Sequence, residues 1–233
     1  MPGSKTVVGT PGTQALRTAV SRIILKDPLS AQFLPHGVFI DGSKSRDVTQ
    51  GVGDEDVLRA GQTIGKITAT DKYAVSIIGT ILNAEAASSV AIEVSVQLAK
   101  ELVRRIGTTG TFVLKGPPTA AGTVITEQVT YTAVDTATGI ITVDAITAAF
   151  IAGSQILPED GSEVILGMLN TEFGLDVTDI DNLDKDVDVD EVLIGGFVFF
   201  DKIINAPTDS SLVSDLKTQL RANGTGFAFD DDF

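Results

Sequence analysis

Val57 to Tyr73 reads VLRAGQTIGKITATDKY, and the fold turns on how this stretch is parsed. An apolar start, Val57-Leu58, runs through Arg59-Ala60 and turns at Gly61. Ile64 and Ile67 then flank Gly65, a residue that lets a strand bend or another backbone approach closely. Asp71-Lys72 supplies a polar turn, and Tyr73-Ala74-Val75 begins a further apolar run. The parse is a β-arch: strand, glycine corner, strand, turn, strand.

Composition points the same way. The chain has 233 residues, enough for one large or two small domains with real cores. Thr, Val, Ile and Gly are abundant together while Trp is absent, a mixture that favours strands and turns. The formal net charge of −14 repels phosphate backbones, so no nucleic-acid partner is expected. It suits a protein that stays soluble alone and docks onto basic or apolar patches. With no cysteine, disulfides, thiol nucleophiles and Cys-ligated zinc are excluded. The first residues lack the apolar core of a secretory signal, and the longest strongly apolar run, Val192 to Phe200, is far short of a membrane span. The expectation is a protein made and used in cytoplasm, or in something assembled there, with no membrane partner.

Upstream of the arch, residues 1–20 read as an extended arm in which prolines and glycines leave only Thr6-Val7-Val8 as a short strand. From Ser21 to Phe39, Pro28 and Pro35 forbid a long helix and leave short extended pieces. His36 is the sole histidine and is expected to be a surface or structural residue. Asp41 to Asp56 reads as a polar loop. Its Gly51-Val52-Gly53 fails as a dinucleotide fingerprint for want of the third glycine and a following helix. Gly61 to Lys66 fails as a phosphate loop, with three residues between its glycines and Ile67 after the lysine.

Downstream, Ala74 to Leu82 reads as a buried strand, and Ile92 to Val96 alternates as another. Leu98, Leu102 and Ile106 then recur every four residues in a short amphipathic helix stopped by Gly107, with a Glu101–Arg105 pair at i,i+4. The dibasic Arg104-Arg105 is expected on its solvated face. Thr111 to Leu114 returns to strand, and Val129 to Val143 forms a β-hairpin across a glycine-ended loop. In the acidic stretch Asp176 to Glu191, an EF-hand calcium loop starting at Asp179 fails on spacing, because Asp184 stands where glycine is required, which leaves a looser cation site as the alternative. Asp186, Asp188 and Asp190 instead line the wet face of a strand whose inner face carries Val187 and Val189. Val192 to Ile204 should be a central strand bent at Gly195-Gly196. Leu212, Val213, Leu216 and Leu220 form the stripe of a helix ended by Asn223-Gly224. Residues 223–233 form an acidic, aromatic tail, either a docking peptide or disordered.

The chemical inventory is short: one histidine, no cysteine and no recognisable nucleophile pattern leave only carboxylates as candidate catalysts. No catalytic, metal or cofactor residues are assigned, no cofactor is expected, and the chain reads as a non-enzyme.

The run LRAGQTIGKITATDKY also resembles the signature segment of bacteriophage head decoration proteins, the capsid-cement type related to the lambda decoration protein. The likeness rests on Leu58, Arg59, Ala60, Gly61, Ile64, Gly65, Lys66, Ile67, Thr68, Ala69 and Tyr73. Segments such as ELVRRIGTTGTFVLKGPPTAAGT resemble insertions in larger proteins of this kind. The resemblance implies a mainly β fold with a few short helices, a β-rich α+β protein with a barrel- or tulip-like core carrying an inserted small β domain. The core would comprise 21–90 and 156–222, and the insertion 91–155. It further implies a homotrimer on the outer surface of the virion that bridges major capsid protein subunits and stabilises the expanded shell. The N-terminal arm, with Thr6, Val7 and Val8, would touch the capsid. The alternatives are another virion or host-surface-binding β protein (tail, baseplate or adhesin) and, more remotely, a carboxylate-dependent glycosidase.

Overall fold

The structure, a computed structural model, describes residues 4–7, 17–20, 24–51, 53–171, 174–179, 181, 183–223 and 226–232. In chain order the strands begin with β1 (Ser4–Val7), β2 (Arg17–Val20), β3 (Leu25–Phe33) and β4 (Val38–Ile40). The arch supplies β5 (Val57–Leu58), β6 (Thr63–Lys66) and β7 (Tyr73–Val75). Next come β8 (Gly79–Thr80), β9 (Ala91–Glu93) and helix α1 (Val96–Arg105). They are followed by β10 (Gly110–Gly116), β11 (Ile125–Asp135), β12 (Ile140–Val143) and β13 (Gln155–Leu157). The chain ends with β14 (Ile165–Leu169), β15 (Leu175–Asp176), β16 (Val187–Val189), β17 (Val192–Val198), helix α2 (Ser210–Asn223) and β18 (Gly226–Phe229). The fold is mainly β, a β-rich α+β protein.

Two sheets carry the architecture among the described residues. One runs β8-β13-β10-β11-β12-β9 and takes every strand from residues 79–157. Just past β8, Ile81 bridges Val94, and the Leu82 amide donates to the Glu93 carbonyl at 2.8 Å. The six strands therefore close into a small barrel. Alternation along β11 and β12 sends Val129, Tyr131, Ile141 and Val143 inward, where Phe112 and Leu114 meet them. Leu98, Ala99 and Leu102 of α1 join that core, and Ser95 caps the helix by accepting from the Leu98 amide.

The other sheet runs β16-β4-β7-β6-β14-β17-β18, with β3 also on β17, and forms the body. The arch lies in its middle: β6 pairs antiparallel with both β7 and β14. Gly61 makes the corner at φ +91°, left-handed space that glycine enters without penalty. Gly65 lets the carbonyls of Ser162 and Val164 lie where a Cβ would sit. One core packs Ile64, Val75, Val177 and Val192 below this sheet. A second joins Met168, Leu193 and Val198 to Leu216 and Leu220 of α2.

Several expectations need correction. The Ala74–Leu82 run is broken into β7 and β8, which belong to different sheets, so the chain leaves the body here and enters the barrel. The Val192–Ile204 strand stops at Val198 and coils into a 3-10 turn over Phe200–Lys202. Residues 226–232 of the tail are neither loose nor a free peptide. β18 lies parallel to β17, and Phe229, fully buried, packs edge-on to Phe200 with ring centres 5.7 Å apart. Lys217 of α2 reaches between those rings to Asp231 at 2.6 Å and Asp232 at 3.0 Å. Phe229→Ala should therefore lower stability by about 3–4 kcal/mol in urea unfolding, the cost of removing a buried ring. A change under about 0.5 kcal/mol, the range of surface substitutions, would return the tail to the solvent.

Candidate docking edges

The arch residues hold the body together more than they face outward. Leu58, Ala60 and Ile64 are buried, and Ile67 lies under the turn at 68–71 with its amide on the Lys72 carbonyl, 2.9 Å away. Arg59 points back to Asp47, a fully buried carboxylate, through Nε at 2.7 Å. Gly61 is bonded on both sides, donating to Leu169 and accepting from Ile204. Gly65 takes its place in the β6 ladder, and Tyr73 is half-buried in β7 opposite Lys66. Lys66, Thr68 and Ala69 are exposed. Lys66 pairs with Asp71 at 2.9 Å, and the Thr68 amide donates to Asp160 at 2.7 Å.

Binding without chemistry needs surfaces with unmet hydrogen bonds or apolar area, so the strand edges are the place to look. The barrel sheet has no free end strand, because β8 and β9 meet at the Ile81–Val94 bridge. β18 is capped by side chains: Arg221 donates to the Phe227 carbonyl at 3.2 Å, and the Phe229 amide donates to Asp232 at 3.0 Å. β3 is interrupted. It spends six residues, Asp27 to Gln32, where β17 spends three, Gly195 to Phe197. The extra residues bulge outward around Pro28, leaving Leu29 96% exposed at the apex. Asp27 and Ser30 tie the bulge down, the Ser30 hydroxyl accepting from the Phe197 amide at 2.7 Å. Pro28 and the bulge together spoil half of this edge for strand addition.

β16 is different. It pairs with β4 on one side, and no described strand lies on the other. Val189 is buried and Asp186, Asp188 and Asp190 are exposed, as alternation requires. Directly across from Asp188 stands Phe39, 55% exposed. Outside the two large sheets, two-stranded pairs also leave outer sides without a described strand: β5 with β15, and at the N-terminus β1 and β2. β1 and β2 form a hairpin, Ser4 opposite Val20 and Val7 opposite Arg17, that joins neither large sheet. The expected single extended arm is thus folded back on itself. Thr6 and Val7 lie in β1, and Val8 lies outside the described residues.

What the sequence did not disclose is the joint between barrel and body. Arg104-Arg105, read from its spacing as a solvated face, is a clamp. The Arg105 side chain is 1% exposed. It donates to the Val75 carbonyl at 2.8 Å, to Ser162 Oγ at 2.7 Å and to Asp160 at 3.1 Å. Arg104, not Arg105, pairs with Glu101, and it also reaches the Ser43 carbonyl at 2.6 Å. Lys44 Nζ donates to the Arg105 carbonyl at 2.6 Å, closing the end of α1 as a cation should. Across the joint Lys115 pairs with Asp215 of α2, and Asp209 accepts from the Ala121 amide at 2.9 Å. The supposed loop 41–56 is drawn in by these contacts, burying Asp41, Ser45, Arg46 and Asp47. A partly open pocket of about 80 Å3 lies beside it, lined by Arg46, Glu55, Lys100, Glu101 and Arg104. Both Glu101 oxygens already accept from Arg104. Among the described residues no three carboxylates or histidines are grouped to hold a metal ion.

Burial pushes the Asp160 carboxyl up, but Arg105 and the Ser162 hydroxyl and amide outweigh it and hold Asp160 below the usual range. A carboxyl depressed by folding stabilises the protein above its unfolded pKa, about 3.9, and that contribution is lost as pH falls through the folded value. Urea titrations should show stability falling below about pH 4. Arg105→Met should be about 2–3 kcal/mol less stable at neutral pH, because Asp160 keeps part of its hydration when its partner goes. The variant should also decline less steeply in acid. Equal acid slopes for the two proteins would mean that the pair does not hold the joint.

No protein-family model matches the chain, and no curated protein or solved structure matches it.

Proposed function

We propose that this chain is a phage capsid decoration, or cement, protein. It binds the outer surface of the expanded head as a trimer and stabilises the shell by bridging major capsid subunits. The observation that carries the reading is the segment Leu58–Tyr73. Its wording resembles the decoration-protein signature, and its β6 and Tyr73 lie in the middle of the body sheet while Leu58 pairs with Leu175 in the small β5–β15 sheet. The mechanism is avidity. Three weak contacts on one rigid assembly bind together once the spacing of the shell matches theirs, and an unexpanded shell presents a different spacing.

Two features support a gripping role. Among the described residues the hairpin β1–β2 stands outside both large sheets, so the β1 edge with Thr6 and Val7 is available for strand addition to a shell subunit. The clamp at Arg104 and Arg105 fixes the barrel on the body, and a rigid bridge loses little freedom on binding. A second reading, a virion part that binds a host surface, is favoured by the barrel itself. It is a closed unit that presents side chains rather than edges.

Mixing purified protein with expanded and unexpanded shells decides between the readings. The cement reading expects co-sedimentation with expanded shells only, and shells that survive heating or osmotic shock better once decorated. Failure to bind expanded shells, or equal binding to both forms, would count against it.

A further inference from the structure

The N-terminal arm and the β16 edge carry opposite charge, although each stands apart in a strongly acidic chain. Residues 1–26 contain Lys5, Arg17, Arg22 and Lys26, and the first acidic residue is Asp27. Residues 176–191 hold eight acidic residues against one lysine, a net −7 that is half of the chain's −14. Asp184 and Asp186 in this stretch are committed to Arg46 and Lys72. Asp188 and Asp190, which flank the buried Val189, have no ion-pair partner among the described residues.

We propose that β2 of one copy adds to the open edge of β16 on a second copy. The strand pairing would be selected by the basic arm meeting the acidic edge. Three observations converge on this occupant. A two-stranded hairpin on its own is marginal in water and needs a further sheet to lean on. β16 is the continuous open edge of the body, since β18 is capped and β3 is broken by its bulge. Its carboxylates repel a second β16 edge while attracting a basic strand, so the same charges that prevent edge-to-edge aggregation choose the partner.

The contact is heterologous, arm to edge, and such contacts satisfy every copy only by closing into a ring. A hairpin has two outer edges, so β2 can join a neighbouring copy while β1 stays free for the shell. The inference rests on the self-association in the cement reading and not on capsid binding. The two fail separately: one in sedimentation of the free protein, the other in shell binding.

The experiment is sedimentation of the full chain over a range of concentrations and at low and high salt. Association should occur at low salt and weaken as salt screens the charges. Asp188→Lys with Asp190→Lys should weaken it roughly tenfold or more, as should Arg17→Glu with Arg22→Glu, and the combined four-site swap should restore it. Asp188 and Asp190 are exposed, and circular dichroism will confirm that each variant is folded. The cysteine-free background allows a second readout. A Thr18→Cys, Asp188→Cys double variant should give a ladder of covalent oligomers on oxidation. A monomer at all concentrations, association indifferent to either reversal, a four-site swap no better than its parents, or disulfides confined to single chains would each overturn the proposal.

Discussion

A strand has two sides, and the amides and carbonyls on each must be bonded to something. In this molecule that requirement sorts the surfaces. The barrel meets it by closure, Ile81 returning to Val94 to complete the ring. At one end of the body sheet Arg221 and Asp232 satisfy β18 with side chains, and the Pro28 bulge turns half of β3 away from any incoming strand. At the other end the outer side of β16 has no described strand on it, and neither do the outer sides of the N-terminal hairpin and of the small β5–β15 pair. The places where the fold stops satisfying itself are therefore few, and they are where another chain can be held.

Rigidity makes such edges useful. A strand edge on a mobile unit gives up much of its binding free energy to ordering, while one on a fixed frame does not. The frame here is fixed by charged hydrogen bonds at the end of α1, with Arg105 buried against Val75, Asp160 and Ser162. Lys115–Asp215 and Asp209–Ala121 hold the far side of the same joint. Acidity is also structured. The chain's negative charge is concentrated on one edge of the body and absent from its first 26 residues.

How much of this was legible from the residues depends on the range of the interactions that decide each element. The arch was legible because Gly61 and Gly65 have local reasons to be glycine, a positive φ at one and a crowded Cβ position at the other. The hairpin β11–β12 and both helices were legible from period alone, since alternation and four-residue spacing are local. Arg104 and Arg105 were misread because spacing places them on the polar side of α1. What buries Arg105 is Val75, Asp160 and Ser162, residues 30 or more positions distant. The tail was misread for a similar reason: Phe229 and Asp232 are ordered by contacts with β17, Phe200, Lys217 and Arg221, which the tail's own sequence does not announce. Asp186, Asp188 and Asp190 were read correctly as the wet face of a strand, yet nothing local says that the strand lies at a sheet edge.

Backbone hydrogen exchange, followed strand by strand as protein concentration is raised, tests the central claim most directly. If this molecule works through unpaired edges, the outward amides of β16 and of the hairpin will exchange rapidly in dilute protein. They will then become protected together on association, while barrel amides stay slow throughout. Protection of β16 already complete in dilute monomer, or exchange there unchanged by any association, would contradict the account.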